Sequence, residues 1–234
     1  MEATYIDHMG DDLRVVNAAR VSFNKESEWA TDANSPGWHG IPEEVLQYSD
    51  AKLIKYLATH GHWTPFSHPM ITMRETVPIF VARQRFKHMV GFTYNEVSRR
   101  YVDDYPEFFY PDFWRSRPEG SVKQGSGDLE VKEIINHSDG SVLSTETRYE
   151  EFISTAHELY QDMLLAGVAP EQARMVLPQS MYTSYYVTGS LAAWARAYKQ
   201  RIDPHAQVEI QDLAKQWGAV IEPLFPVSWE VLSS

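Results

Sequence analysis

The sequence predicts an α+β fold, a single mixed domain of helices around a small sheet. Three observations lead there. Helical periodicities are interleaved with only a few strand-like runs, no internal repeat or heptad run breaks the pattern, and 234 residues with 43% hydrophobic side chains are enough to bury one large core. Residues 1–234 are read as one domain, with a peripheral loop or insertion at about 116–148.

Taken in order, the region from Thr4 to Phe23 contains DLRVVNAARVSF, a short strand or helix leading into a turn of small residues, with Asn17, Arg20 and Ser22 as its polar members. The next stretch, Ser22 to Glu44, is rich in Ser, Asn, Gly and Pro and reads as a long loop. Leu53, Ile54 and Leu57 form the apolar stripe of a helix from about Glu43 to Thr59, either continuous or broken near Ser49, and Gly61 is placed to stop it. Met70 to Val77 alternates in the manner of a strand. Pro78 then opens a helix that places Ile79, Ala82, Phe86 and Val90 on one face and ends at Gly91. From Tyr101 to about Thr147 the chain is polar or mixes aromatics with Pro and Gly, as expected of a loop or insertion. Tyr149 to Gly167 carries the clearest helical spacing, and a second helix starts at Pro170. On that helix Arg174 lies among apolar neighbours, where a partly buried guanidinium needs an anionic partner, an ion pair or a phosphate. QSMYTSYYVTG is strand-like, Ser190 caps a helix ending near Arg201, and Asp203 is expected to cap a last helix from Pro204.

Composition narrows the function classes. A net charge of −11 argues against a general nucleic-acid binder, which needs a broad basic surface. No apolar run reaches the length of a membrane span and the N-terminus is too acidic for a signal peptide, so a cytoplasmic protein is expected. The absence of cysteine removes disulfides, thiolate metal sites and thiol nucleophiles. His60, His62 and His68 invite a metal reading, as in a metal-dependent phosphohydrolase, but lack the helical spacing that sets two ligands on one face; turn histidines bonded to backbone or ligand are commoner.

The densest polar chemistry lies between Arg74 and Tyr101. Gln84, Lys87 and His88 fall at i, i+3 and i+4 of the expected helix, and Asn95, Glu96, Ser98, Arg99, Arg100 and Tyr101 follow in an extended or looped segment. Basic residues crowd here within an acidic chain, which suits a mononucleotide pocket. A solvated helix face followed by a polar loop, its cations paired with surplus carboxylates, is the alternative.

KHMVGFTYNEVSRRY resembles the signature of the flavin-dependent thymidylate synthases, Arg-His-Arg followed after seven or eight residues by Ser, within a pattern ending Asn-Glu-x-Ser-x-Arg-Tyr. His88, Asn95, Glu96, Ser98, Arg100 and Tyr101 match it. HWTPFSH around Thr64, and ARMVLPQSMYTSYYVTGS continuing to RIDPHAQVEI, are similar to the family in the same order, so the likeness spans about Ala18 to Ile210.

The resemblance implies a homotetramer that reductively methylates dUMP to dTMP. The carbon comes from methylenetetrahydrofolate and the reducing equivalents from NADPH through FAD, with no cysteine nucleophile, no nucleic acid and no membrane. By position it implies dUMP contacts from Gln84, Arg85, Phe86 and Lys87, from Glu96, Val97, Ser98, Arg99 and Arg100, and from Arg174 and Arg201. Arg201 is the implied activating residue, its guanidinium stabilising negative charge on the pyrimidine edge. Ser98 has no evident general base and is read as a binding group. FAD contacts are implied at Thr64, Lys87, His88, Met89, Glu96, Ser190, Leu191, Ala192 and Arg196, with Ser22 and His62 as further candidates, supplied by different subunits.

The chain also departs from the family. Lys87 and Met89 stand where the motif has arginines, Ser190 where an Asn is usual and Ala192 where an Arg is usual. Lys lacks the bidentate fork of Arg, and Met donates nothing. Looser flavin binding is expected, with Arg85 and Arg196 as the candidates to compensate. A relative that binds the nucleotide and has lost flavin chemistry is the alternative function.

Overall fold

A computed structural model describes residues 1–36, 42–102, 104–120 and 125–234. Its centre is a four-stranded antiparallel sheet of β1 (Glu2–Met9), β4 (Met70–Pro78), β8 (Tyr182–Ser190) and β5 (Phe92–Glu96), in the order β1-β4-β8-β5. The alternation read in β4 has the meaning expected of a half-covered sheet. Ile71, Met73, Glu75 and Val77 are buried with Tyr185 and Val187 of β8, while Arg74 and Tyr186 point outward. On the outward face Thr72 and Thr188 share a hydrogen bond of 2.9 Å, and Arg74 Nε donates to Ser184 Oγ at 2.9 Å.

Helices cover the inner face. α1 (Asp12–Arg20) and α2 (Tyr48–Thr59) precede β4, and short α3 (Ile79–Arg85) follows it. α6 (Leu191–Arg201), α7 (Val208–Ile221) and α8 (Pro226–Ser233) complete the layer. Trp194 of α6 and Trp217 of α7 are fully buried with ring centres 5.5 Å apart, and Trp194 Nε1 donates to the Ile71 carbonyl at 3.1 Å. α4 (Thr145–Leu165), capped by Ser144, and α5 (Pro170–Ala173) lie to one side. Among the described residues no helix is long and apolar enough to cross a membrane.

Several expectations change. β1 was not expected as a strand; it is recruited by nearly its whole length to β4. The long loop before α2 contains a hairpin of β2 (Ala30–Pro36) and β3 (Pro42–Val45), with residues 37–41 outside the described part, so α2 begins at Tyr48 and not near Glu43. Within the expected insertion at 116–148, residues 121–124 lie outside the described part and a second hairpin forms from β6 (Glu133–Ile135) and β7 (Val142–Ser144). Asp203 caps no helix: its carboxylate accepts from His205 N at 2.8 Å in a turn, and α7 starts only at Val208. α8 was missed because its cap is remote, the Asp12 carboxylate accepting from Val227 N and Ser228 N at 2.8 and 3.0 Å across the fold.

The largest correction concerns α3, which stops at Arg85 and not at Gly91. Lys87 and His88 therefore leave the helix, and the shared face of Gln84, Lys87 and His88 does not exist. Arg85 turns inward and is fully buried. Its Nε lies 3.2 Å from both oxygens of buried Glu75, whose Oε2 also accepts from the Tyr185 hydroxyl at 2.5 Å. The guanidinium sits 4.4 to 4.7 Å from the ring centres of Phe92, Trp217 and Trp194, a cage of aromatic faces.

Removing one member of such a pair leaves an unpaired buried charge. Glu75→Ala is expected to lower unfolding free energy by about 3–5 kcal/mol, whereas Glu75→Leu combined with Arg85→Met recovers most of it, as measured by urea denaturation. A loss below about 1 kcal/mol in the single variant contradicts this account.

Candidate functional site

Beyond β5 the chain keeps one more bond to β8, Val97 N to Ser184 O at 2.9 Å, and then turns at Ser98, whose carbonyl accepts from Tyr101 N at 2.9 Å. That turn forms one wall of an open cleft of about 750 Å³, lined by Glu96, Val97, Ser98, Arg99, Arg100 and Arg174. All six were anticipated from the sequence. Arg74, Tyr105, Tyr182 and Ser184 also line it and were not. The missed signal was the outward alternation of β4 and β8, which sends Arg74 and Ser184 to one face.

Donors and acceptors in the cleft are distinct. Arg99 Nη1 is 2.8 Å from Asp104 Oδ1, whereas exposed Arg174 makes, among the described residues, only a long bond of 3.3 Å to the Glu171 carbonyl. Arg174 is thus not partly buried among apolar neighbours, because α5 ends at Ala173 and a 3-10 turn swings its side chain outward. Glu96 Oε1 accepts from Thr183 Oγ1 at 2.7 Å. Guanidinium forks beside a fixed carboxylate suit a phosphate joined to a hydroxyl-bearing sugar.

A second cluster forms where α3 and α6 end. Arg201 Nε donates to His88 Nε2 at 2.8 Å and its Nη2 to the Gln84 carbonyl at 3.1 Å, leaving Nη1 without a hydrogen-bond partner among the described residues. Gln84 Nε2 donates to Gln207 Oε1 at 2.5 Å. His88 is buried, and burial first, then Arg201, Arg85 and Arg196, hold its pKa down to about 4. It is therefore neutral near pH 7 with Nε2 free to accept. Burial and Arg85 also lower the pKa of Arg201.

Other anticipated contacts sort by accessibility. Arg85 faces Glu75 in the core and cannot compensate at a ligand surface. The Phe86 ring packs between Tyr94 and Tyr185, with centres 5.0 and 4.8 Å away, and Leu191 is a core residue. Ser190 Oγ accepts from Ala193 N at 3.3 Å, capping α6.

Ser22, His62, Thr64, Lys87, Met89 and Arg196 are exposed, Ala192 is half-buried, and Arg196 Nη2 donates to the Val90 carbonyl. Gly91 closes this loop at φ +80°, where a Cβ would stand 2.8 Å from Ala193 Cβ. Two exposed cations, Lys87 and Arg196, thus flank exposed apolar Met89 and Val90, chemistry that fits the diphosphate and ring of a flavin dinucleotide. His60 stacks on Tyr56 at 4.0 Å with its Nδ1 2.8 Å from the Tyr56 carbonyl. Among the described residues no group of His, Asp and Glu is placed to hold a metal.

Residues 4–227 match the family model described as thymidylate synthase complementing protein, Thy1. A flavin-dependent thymidylate synthase of Thermosipho africanus is 34% identical over 229 residues, covering 96% of this chain and 87% of that protein. One from Thermus thermophilus is 32% identical over 224 residues, covering 96% and 72%. Among solved structures, the UMP/dUMP methylase PolB from Streptomyces cacaoi bound with 5-Br dUMP aligns at TM-score 0.77 and 28% identity, covering 99% of this chain and 94% of that one. With a family model matched over almost its whole length, and relatives above 30% identity along the same span, this chain belongs to the flavin-dependent thymidylate synthase (Thy1) family.

Proposed function

We propose that the protein is a flavin-dependent thymidylate synthase of the cytoplasm. It reductively methylates dUMP to dTMP with methylenetetrahydrofolate as carbon donor and NADPH as reductant, and works as a homotetramer whose sites are shared between subunits. The observation that carries this reading is Arg201, held by neutral His88 and the Gln84 carbonyl with Nη1 left over. A guanidinium with one pre-aimed edge is what a pyrimidine needs to gain nucleophilicity at C5. The chain has no cysteine, so the ring is not attacked by a protein thiol.

In this reading Ser98, Arg99, Arg100 and Arg174 bind the phosphate and Glu96 accepts from the sugar. Arg201 binds the uracil edge and stabilises charge developing at N3 and O4. Lys87 and Arg196 hold the flavin diphosphate, Met89 and Val90 shield its ring from water, and His62, Thr64 and Ser22 contact it from another subunit. Bound FAD supplies the hydride carrier. Lys87 and Met89 in place of arginines favour weaker flavin retention.

The test is dTMP formation and NADPH oxidation by purified protein reconstituted with FAD. UMP is assayed beside dUMP because the PolB methylase has also been solved with 5-Br UMP. Absence of nucleotide methylation, with bound nucleotide but no flavin uptake, favours the non-catalytic alternative. Arg201→Ala is expected to lower turnover about 10²–10³-fold, and full activity in that variant contradicts the role given to Arg201. Arg174→Ala is expected to raise KM for dUMP about tenfold with little change in kcat, as loss of one charge-assisted phosphate bond implies.

The depressed His88 pKa sets a pH dependence. Its folded value is about 4 against an ordinary 6.5, so the unfolded chain binds the proton first. The stability it contributes is complete above the unfolded value and is lost as pH falls from there through the folded one. Thermal denaturation between pH 7 and pH 4 is expected to fall less steeply in His88→Gln than in the parent protein; identical slopes contradict the assignment.

A further inference from the structure

We propose that the buried Glu75–Arg85 pair, acting through the Tyr94 hydroxyl, positions His88 and thereby aims Arg201. The inference rests on the functional reading of Arg201 above and adds three residues to it, of which Glu75 and Arg85 are fully buried.

The path is continuous. Glu75 fixes Arg85 through Nε, and Arg85 Nη1 donates to the Tyr94 hydroxyl at 2.7 Å. A guanidinium has no acceptor, so the Tyr94 oxygen must accept there and its proton is free to go elsewhere. Two carbonyls are in reach, and it goes to that of His88 at 2.7 Å in preference to that of Arg85 at 3.4 Å. The direction of every bond from Glu75 to His88 is therefore set by chemistry. The His88 imidazole then accepts from Arg201 Nε at 2.8 Å.

This anchor falls between two regular elements. α3 has ended at Arg85, β5 begins only at Phe92, and between them His88 keeps a single tight-turn bond from its amide to the Arg85 carbonyl at 3.1 Å. The Tyr94 hydroxyl supplies the second constraint that a turn residue needs to hold its ring in one orientation. Tyr94 is itself clamped, its ring 5.0 Å from Phe86 and 6.0 Å from Phe92, and burial pushes its pKa up to about 12, so it stays a donor.

Arg85 contributes a second effect. The charged groups that lower the His88 pKa are the cations Arg201, Arg85 and Arg196, and Arg85 is fully buried. A permanent charge at that place penalises imidazolium and so preserves the acceptor that Arg201 requires. An apolar pair would fill the same volume at comparable stability. Stability alone thus gives no reason for the ion pair at this position, whereas positioning does.

The experiment compares Tyr94→Phe, which keeps the ring and removes only the hydroxyl, with the combined Glu75→Leu and Arg85→Met variant. Ring-¹³C-histidine protein without ligands is titrated by NMR, His88→Gln assigning the resonance, and steady-state kinetics are run on the reconstituted enzyme. In both variants the His88 midpoint is expected to rise from about 4 by about one unit or more as the contact with Arg201 loosens. For Tyr94→Phe, kcat is expected to fall about tenfold at nearly unchanged KM for dUMP, the pattern of a misaimed group. An unchanged midpoint in Tyr94→Phe overturns the inference whatever the activity. Should Tyr94→Phe fail to fold, the combined variant decides on kcat, which must fall at nearly unchanged KM, because loss of the Arg85 charge raises the His88 midpoint by itself; an unchanged kcat overturns the inference. If the parent protein methylates no nucleotide, the functional reading fails, while the titration still reports whether Tyr94 positions His88.

Discussion

Burying the Glu75–Arg85 pair is the constraint on which most of the structure depends. Each charge loses its hydration and must be repaid by geometry. Glu75 accepts from Arg85 Nε and the Tyr185 hydroxyl, and Arg85 donates to Glu75 and the Tyr94 hydroxyl and is faced by the rings of Phe92, Trp194 and Trp217. Those partners come from β4, α3, β8, β5, α6 and α7. A one-residue slip of β4 would send Glu75 to the outward face and strand Arg85, so the pair pins strand register as well as helix position.

The same sheet arranges the candidate site by simple topology. β4 and β8 are antiparallel, Met70 opposite Ser190 and Pro78 opposite Tyr182. α3 therefore leaves the sheet at one end and α6 at the other, and their C-terminal ends meet, placing Arg201 on His88 and on the Gln84 carbonyl. A cation at a helix C-terminus is favoured by the helix dipole, which supports Arg201 in a half-buried position. Close approach also requires small residues. At Gly189, beside Phe92 in the β5–β8 pairing, a Cβ would lie 2.3 Å from the Phe92 ring. The arginine-lined cleft sits beyond the other end of β5, so the chain presents two chemically different surfaces from one short strand.

Elements that follow from local pattern were legible in the sequence. β4 alternates from Met70 to Val77, β8 is rich in Tyr, Thr and Val, α4 carries helical periodicity from Tyr149 onward although it starts earlier, at Thr145, and Ser190 caps α6 as expected. Six residues of the cleft, Glu96 to Arg100 and Arg174, were identified by motif and do line one cavity. Elements held by distant partners were not legible. β1 exists through pairing to β4 across most of its length, and α8 starts where the Asp12 carboxylate waits for its first amides. α3 looked longer than it is because Phe86, Lys87 and His88 continue a helical pattern, while the pull of Glu75 on Arg85 and of Tyr94 on the His88 carbonyl ends it.

By itself, then, the sequence determined the fold class, the family and the polar residues that gather around β5, because alternation, periodicity and ordered motifs are properties of near neighbours along a chain. Only the tertiary structure decided what each arginine does. Arg85, Arg174 and Arg201 are alike as letters. One is sealed against Glu75, one stands open in the cleft, and one is held by His88 with an edge to spare. Charge has no meaning in a folded protein until its partner and its solvent exposure are set, and both are supplied by residues far away in sequence.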